Sequence, residues 1–445
     1  MLDISKVISS YRAGLTTPTQ SVSALLDAIA ASGLNTFISV DQDSAMAAAG
    51  HSDRVLEKGG TLGRLHGVPI AIKDLIDVAG MRTTMGSEQY VDNLATQDAV
   101  VVGRLRAAGA IIVGKTNTHQ FAYGPTGDRS HFGAVRNPWD PSRVSGGSSS
   151  GSAAALAAGL CAGALGTDTS GSVRLPAALC GVVGLKPTYD LLPRDGVFAL
   201  THTLDHVGPM TTTVADNALL LEILADQEFA YTHRIGKSIA GLTVGVPMDF
   251  FGAFLSAGVR TAVEQAKEAF LAAGARLVQV NIAGIDEIYD AQQLVLKVEA
   301  YAQHREALSA GLPYLPEVRT RLMSGSDIAS ADYLQALAKR ESARRAFDHV
   351  LEQVDVLMAP TCGITAPPLD ARRTIVDGQD YSAFWLLTRL TAPTNFSGHP
   401  SLSVPFGSEN GLPVGMQLIG RYHDEATLYQ FARVLETTGT RGTAA

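Results

Sequence analysis

The chain has 445 residues, of which 46% are hydrophobic and 18% are charged, and its formal net charge is −8 at pH 7. A chain of this composition can bury a sizeable core, and it carries no block of Lys and Arg residues of the kind that binds nucleic acid. No uninterrupted apolar run reaches the roughly 18 residues that a membrane span requires, so a membrane-spanning protein is excluded.

The N-terminus and the cysteines point to a cellular compartment. The first residues, MLDISKVISSYRAG, lack the basic segment followed by an apolar segment that marks a secretory signal. The three cysteines, Cys161, Cys180 and Cys362, lie far apart and show no metal-binding spacing. A small, odd number of cysteines fits a reducing compartment. We therefore expect a cytoplasmic protein that holds no metal ion.

Hydrophobic periodicity predicts alternating helices and strands. Residues 1–34 read as two helices broken near residues 14–18, where glycine and proline interrupt the pattern. A short strand follows at 36–40, and a helix at 44–58 ends at two glycines. The apolar run VPIAIK predicts a buried strand that ends at Lys73. The further predicted elements are helices at 99–108, 152–159, 259–273 and 330–352, and strands at 110–113, 244–247, 354–358, 401–404 and 415–419.

This alternation predicts an α/β fold. We expect a single large layered α/β/α domain with a central mixed, mostly parallel twisted sheet covered by helices. No linker or repeat divides the chain, but four regions can be distinguished. They are N-terminal helices at 1–60, a catalytic core at 61–225, a helical, cap-like region at about 285–345, and a C-terminal sheet and helix at 350–440.

One short motif matches a nucleotide-binding pattern in the wrong context. Residues 109–116, GAIIVGKT, fit the phosphate-loop pattern letter for letter. A phosphate loop follows a strand and opens a helix, whereas here a helix precedes Gly109 and the middle of the motif is the best strand nearby. We therefore expect Gly109 to end a helix and Lys115 to lie at a strand end.

The densest chemical signal lies in residues 145–189, where two Gly/Ser-rich turns flank a small-residue helix. The second turn ends at Ser172 and can direct several backbone N–H groups to one point, which would stabilise an anionic tetrahedral intermediate. A serine there could attack a carbonyl if a base removed its proton. No histidine lies in such a segment. Lys73, at the end of a buried strand, is the other candidate base, because burial lowers the pKa of a lysine.

From the residues alone, a Gly/Ser-rich loop can equally serve only to turn the chain. A longer pattern favours the catalytic interpretation. Residues 145–189 contain G-G-S-S-x-G-S, then G-T-D-T-x-G-S-x-R-x-P-A, then C-G-x-x-G-x-K-P-T. This composite motif resembles the signature of the amidase-signature family. The segments VPIAIKDLIDVAG, GKTNTHQFAYG and GLPVGMQLIGRYHDEATL extend the resemblance over most of the chain, which implies one amidase-signature domain across 1–445.

The resemblance implies a role for each site residue. The family's nucleophile falls on Ser172, its bridging serine on Ser148, which follows a cis peptide bond, and its lysine on Lys73. The oxyanion donors fall on the backbone N–H groups of Thr169, Ser170, Gly171 and Ser172. Further residues are expected to bind substrate, namely Phe121, Tyr123 and Gly147, or to support the turn and the relay, namely Ser149, Asp168 and Arg174. Outside these sets, we expect a structural salt bridge at Lys186 and a turn-forming role for Asn395.

The resemblance leaves two enzymatic functions open. One is a free-standing amidohydrolase that cleaves a small or aryl amide, or a related hydrazide or urea, without metal or cofactor. The other is the glutaminase component of a tRNA-dependent amidotransferase. Glutamine-using relatives carry an acidic residue shortly before the element that begins here at Asn395, and residues 384–390 contain none. We therefore expect a small-molecule amide as the partner, no nucleic acid or membrane, and a homodimer. In place of the family's frequent glycine, the chain has Ser170.

Overall fold

The computed structural model describes residues 1–60, 62–227 and 230–439. The strands are β1 (Phe37–Val40), β2 (Pro69–Lys73), β3 (Ile111–Thr116), β4 (Gly163–Asp168), β5 (Val183–Lys186), β6 (His206–Thr211), β7 (Thr243–Pro247), β8 (Arg276–Val280), β9 (Val356–Pro360), β10 (Arg373–Val376), β11 (Gln379–Ser382), β12 (Ser401–Glu409) and β13 (Leu412–Ile419). The helices are α1 (Ile4–Arg12), α2 (Pro18–Ala31), α3 (Gln42–Glu57), α4 (Val100–Ala107), α5 (Ser150–Ala157), α6 (Arg174–Cys180), α7 (Val214–Ala225), α8 (Ala257–Ala272), α9 (Ile285–Ser309), α10 (Pro316–Met323), α11 (Ser330–Leu351), α12 (Ala383–Thr388), α13 (Ala392–Ser397) and α14 (Glu425–Thr438).

Eleven of the strands in the described chain form one sheet in the order β1-β3-β2-β4-β6-β5-β12-β13-β9-β7-β8. The predicted layered α/β fold with a mixed central sheet is confirmed. The expectation that most neighbours would be parallel is wrong. Only β2–β3, β2–β4, β7–β8 and β7–β9 are parallel, and the other neighbouring pairs are antiparallel. β12 and β13 are antiparallel because a short turn joins them directly, without the crossover that parallel strands need.

The sheet is covered on both faces, as the alternation of side chains along β2 demonstrates. Ile70 and Ile72 pack into one apolar cluster, whereas Ala71 between them packs into another, because successive side chains of a strand point to opposite faces. The first cluster contains residues of α1, α7 and α14, and the second contains residues of α2, α3, α5 and α6. Strands buried on both faces explain why VPIAIK is continuously apolar rather than alternating.

The predicted break between the first two helices is confirmed. Gly14 has a φ of +65°, a conformation that favours glycine, and Pro18 occupies the first turn of α2, where a missing N–H costs nothing. Thr17 and Gln20 form a reciprocal capping box at the same helix start.

The cap-like region predicted at about 285–345 contains the three helices α9, α10 and α11, and α9 packs on α11 and α13. The division of the chain into four regions remains a prediction, and two of its boundary residues, 61 and 440, lie outside the described residues. Within the described ranges, no helix combines the length and the apolar character needed to cross a membrane.

Candidate active site

Two parallel strands bring the predicted catalytic residues to one edge of the sheet. Lys73 is the last residue of β2, and Asp168 is the last residue of the adjacent β4. The strands run in register from Ile70 opposite Gly163. Because the carboxyl ends of parallel strands meet at the same edge, the Lys73 side chain lies beside the turn that follows β4.

Lys73 is fully buried and surrounded by hydroxyl groups. Its Nζ lies 2.6 Å from Ser148 Oγ, 3.0 Å from Ser149 Oγ and 2.8 Å from Thr167 Oγ1. Burial lowers the pKa of Lys73 from 10.5 to about 7, although the charges of Asp205 and Asp168 act in the opposite direction. A substantial fraction of the amine is therefore neutral near pH 7 and able to accept a proton.

The hydrogen bonds around Lys73 leave one direction for its lone pair. The Ser149 hydroxyl donates to the Thr167 carbonyl at 3.2 Å, so its oxygen can only accept from Lys73. If a neutral amine also donates to Thr167 Oγ1, both of its N–H groups are used. The lone pair is then directed to Ser148, whose hydroxyl proton is the one that Lys73 can take.

The loop that carries Ser148 is held in place by backbone contacts. The Gly147–Ser148 peptide bond is cis, as the resemblance implies. A Cβ atom at Gly147 would lie 2.7 Å from the Gly124 carbonyl oxygen, so the position requires glycine. The Ser149 N–H donates to the Ser172 carbonyl at 3.2 Å, which joins this loop to the second turn. No hydrogen bond links the Ser148 and Ser172 hydroxyls within the described chain, so the second proton transfer of the relay remains a prediction.

Asp168 organises the turn at residues 169–172. Its carboxylate accepts from the Gly171 N–H at 2.7 Å and forms two bonds of 3.0 Å with the Arg174 guanidinium. Burial by itself raises the pKa of Asp168, but the charge and hydrogen bonds of Arg174 outweigh it and hold the pKa well below its usual range. Both side chains are fully buried, so neither reaches substrate.

The Gly171 contact corrects one expectation. The Gly171 N–H is among the expected oxyanion donors, but it already donates to the Asp168 carboxylate. Its φ of +119° and the closeness of Thr391 to its missing Cβ explain why this position is glycine. Among the described contacts, the N–H groups of Thr169, Ser170 and Ser172 have no protein acceptor, so three of the four expected donors are available.

Asn395 has a larger role than the turn former that the sequence predicts. Its Nδ2 donates to the backbone oxygen of Asp168 at 2.9 Å and to the carboxylate at 2.8 Å, and its Oδ1 accepts from Arg174 at 2.7 Å. Sequence reasoning also missed Asp205. Its carboxylate accepts hydrogen bonds from the hydroxyl groups of Thr169 and Thr201, and burial raises the pKa of this carboxyl group. Neither residue carries a local sequence signal, because each reaches the turn from a distant part of the chain.

A cavity of about 310 Å³ opens over the turn, which is within the range usual for small-molecule sites. The turn supplies its polar end, the loop at 122–125 one wall, and α9, α10 and α12 the remainder. The lining residues are Ala122, Tyr123, Gly124, Pro125, Thr169, Ser170, Ser172, Leu200, Tyr289, Gln293, Leu296, Lys297, Arg321, Ser324, Ser382, Phe384, Trp385 and Thr388.

The three residues expected to bind substrate fall in different places. Tyr123 lines the cavity. Phe121 does not, because its ring is fully buried in an aromatic cluster, 4.5 Å from His304 and 5.3 Å from Tyr314 between ring centres. Gly147 also lies outside the lining and packs against the loop at 124–127. The sequence could place the segment FAYG near the site, but it could not tell which of its rings faces inward.

Ser170 has an unusual hydroxyl group. It lines the cavity, the residue is 9% exposed, and its Oγ has no hydrogen-bond partner in the described chain. We expect Ser170→Ala to leave the free energy of unfolding unchanged or to raise it by up to about 1 kcal/mol, because no hydrogen bond is lost and an unsatisfied polar group is removed. Urea unfolding of both proteins measures this. A clear loss of stability would contradict the unpartnered geometry.

Two other buried lysines, Lys115 and Lys186, test the predicted strand and the predicted salt bridge. Lys115 lies in β3, fully buried, 3.0 Å from Asp74 in an ion pair. The predicted strand is therefore confirmed, although it runs from Ile111 to Thr116 rather than over 110–113, and the motif is not a phosphate loop. Lys186 is also fully buried, but the expected salt bridge is wrong. Its Nζ lies 2.9 Å from the Pro187 carbonyl and 3.2 Å from His206 Nε2. Within the described residues, no cluster of three or more His, Cys, Asp or Glu side chains could hold a metal ion.

Comparison with known proteins supports the family resemblance of the chain. The family described as Amidase matches residues 20–429. The A subunit of the Chloroflexus aurantiacus glutamyl-tRNA(Gln) amidotransferase is 38% identical, over 89% of this chain and 87% of that protein. A crystal structure of an amidase superposes with a TM-score of 0.93 at 34% identity, covering 99% of this chain and 100% of the other. The corresponding Thermotoga maritima amidotransferase protein gives a TM-score of 0.79 at 34% identity, covering 95% and 92%. The chain therefore belongs to the amidase-signature family of enzymes, which hydrolyse carbon–nitrogen bonds.

Proposed function

We propose that the chain is a free-standing serine amidase that cleaves a small or aryl carboxamide through an acyl-enzyme on Ser172. The observation that carries this proposal is the 2.6 Å contact between Lys73 Nζ and Ser148 Oγ, in a fully buried site where burial lowers the pKa of the lysine to about 7. A serine hydroxyl becomes a useful nucleophile only beside such a base.

The reaction proceeds by proton transfer through one hydroxyl to another. Neutral Lys73 takes the proton of Ser148, Ser148 takes that of Ser172, and Ser172 Oγ attacks the amide carbon. The N–H groups of Thr169, Ser170 and Ser172 bind the oxyanion. The relay returns the proton to the nitrogen, the amine leaves, and a water activated by the same relay hydrolyses the ester.

The lining of the cavity supports an acyl group with an aryl or alkyl part. Four aromatic residues face it, namely Tyr123, Tyr289, Phe384 and Trp385. Their surfaces favour an aryl or alkyl group, and the hydroxyls at the turn favour a polar carbonyl. Hydrazides and ureas present a similar carbonyl and belong to the same proposed substrate range.

The glutaminase component of a tRNA-dependent amidotransferase is the second candidate, and the sequence relatives favour it. The curated relative described above carries that name. The cavity argues against it, because none of its described lining residues is Asp or Glu. The α-ammonium group of glutamine would enter such a site without a carboxylate partner, which is costly for a charge removed from water.

The two candidates differ in an assay of the purified chain alone. We expect hydrolysis of a para-nitroanilide with a kcat/KM at least about tenfold above that for glutamine, since a polar group left unpaired in a site discriminates strongly. Release of nitroaniline and of ammonia measures the two reactions. Higher activity on glutamine, or co-purification with two further chains that raise it, would establish the amidotransferase function instead.

The proposed setting is the cytoplasm. The three cysteines are buried free thiols, and burial raises the pKa of each, so they are packing residues compatible with a reducing compartment. The expected homodimer and the absence of a nucleic-acid partner remain predictions.

A further inference from the structure

The charges on the cavity lining have one sign. Among the described lining residues, Lys297 and Arg321 are the only charged side chains, and no carboxylate faces the cavity. A cleft lined by one sign of charge with apolar walls focuses its field on a ligand that enters it. The lining therefore attracts an anion and repels a cation.

Arg321 is already satisfied by the protein. It donates to the Tyr123 carbonyl at 2.9 Å and to the Glu317 carboxylate at 3.0 Å, and its guanidinium carbon lies 3.9 Å from the centre of the Phe384 ring. Glu317 also pairs with Arg372 at 2.8 Å, so the Arg321 guanidinium is held in a network of protein partners and acts mainly as a rigid part of the wall.

Lys297 has no such partner. Among the described residues it forms no ion pair and no side-chain hydrogen bond. The residues three and four positions away along α9 are Gln293, Leu294, Ala300 and Tyr301, none of them acidic. Lys297 shares one helix face with Tyr289, Gln293 and Leu296, and all four line the cavity, as their spacing on a helix predicts. A long, exposed lysine can lay its stem along that apolar wall and keep its ammonium group in the opening.

We infer that the enzyme selects amides whose acyl group carries a carboxylate or another anionic group, with Lys297 as the specificity-determining cation. This inference rests on the proposed amidase function and names its substrate class. The reacting carbonyl lies at the 169–172 turn, and the anionic end of the acyl chain pairs with the unpartnered ammonium group on α9.

Three para-nitroanilides of equal acyl length test the inference on the full chain. Butyryl, succinyl and β-alanyl groups end in a methyl, a carboxylate and an ammonium group, respectively. We expect kcat/KM to fall in the order succinyl, butyryl, β-alanyl. The ratio between two substrates is measured on the same preparation, so the fraction of folded enzyme cancels.

Two substitutions assign the preference to Lys297. Lys297→Gln should lower the succinyl-to-butyryl ratio by roughly five- to tenfold, the effect of a partly exposed charge pair in a cleft. Lys297→Glu should place β-alanyl above succinyl. Lys339→Glu is the matched control, because Lys339 is exposed on α11 and lies outside the cavity lining. It makes the same change of net charge and should leave all three ratios unchanged.

A second readout does not depend on turnover. Butanamide, succinamate and β-alaninamide should protect Ser172 from a fluorophosphonate probe, with succinamate the most effective, and Lys297→Glu should reverse the order. Ratios that ignore the charge of the acyl group, or that do not respond to Lys297→Glu, overturn the inference while leaving the amidase function standing. If Ser172 reacts with no probe and no anilide is cleaved, the proposed function itself fails, and the inference fails with it.

Discussion

Replacement of Ser172 by alanine should abolish amide hydrolysis, with a fall in kcat of about 10⁴-fold or more, because no other group can form the acyl-enzyme. The residual rate would come from the N–H groups of the turn, which the substitution leaves in place. Nitroaniline release measures the rate, and mass spectrometry after fluorophosphonate treatment locates the labelled residue.

The fold of this variant should be intact. The Ser172 carbonyl still accepts the Ser149 N–H, and no side-chain hydrogen bond of Ser172 is described. The variant and the wild type should therefore unfold at the same urea concentration. A Ser172→Ala protein that turns over at more than about a tenth of the wild-type rate would eliminate the acyl-enzyme mechanism.

Replacement of Lys73 should have the second-largest effect. Lys73→Met fills most of the same volume without an amine, and we expect a loss in kcat/KM of roughly 10²–10⁴-fold, the usual contribution of a positioned base. In the wild type, kcat/KM should rise with pH through about 7 and then level off, because only neutral Lys73 accepts a proton. The residual activity of Lys73→Met should lack that titration, and an unchanged pH profile would show that another group is the base.

The titration of Lys73 also makes the free energy of unfolding depend on pH. The pKa of Lys73 is about 7 in the folded chain, against 10.5 as its ordinary value. Between these values the unfolded chain holds a proton that the folded chain lacks, so the free energy of unfolding rises with pH over this window. Relative to Lys73→Met, the wild type should therefore gain stability between about pH 7 and about pH 10. Urea unfolding of both proteins at matched pH isolates this contribution from the other titrating groups.

Much of the fold and part of the site could be predicted because their signals are local. The strand ending at Lys73 and the helix break near Gly14 and Pro18 follow from periodicity and from turn residues. The position of Ser172 in a small-residue turn suggests a nucleophile, and the family resemblance implies the roles of Ser148 and Lys73. Each of these signals lies within a few neighbouring residues.

The predictions that proved wrong concern contacts between residues that are distant in the chain. The alternation of predicted helices and strands could not decide which strand lies beside β4 or in which direction it runs. In the structure β6 lies beside β4 and is antiparallel to it. Whether the Gly171 N–H is free to bind an oxyanion depends on the orientation of the Asp168 carboxylate. The orientation of Phe121 depends on His304 and Tyr314, which are far away in the chain. The role of Asn395 likewise depends on distant residues, namely Asp168 and Arg174.

The dependence of the 169–172 turn on the C-terminal third has a consequence for biosynthesis. Arg174, which fixes Asp168, donates to Thr394 and Asn395 and, at 3.4 Å, to Gln417, more than 200 residues later. A growing polypeptide on the ribosome therefore lacks these anchors until nearly its whole length has emerged. We therefore expect hydrolytic activity to be acquired near the end of translation, because a fragment that stops before residue 390 would carry Lys73, Ser148 and Ser172 without the framework that aligns the 169–172 turn.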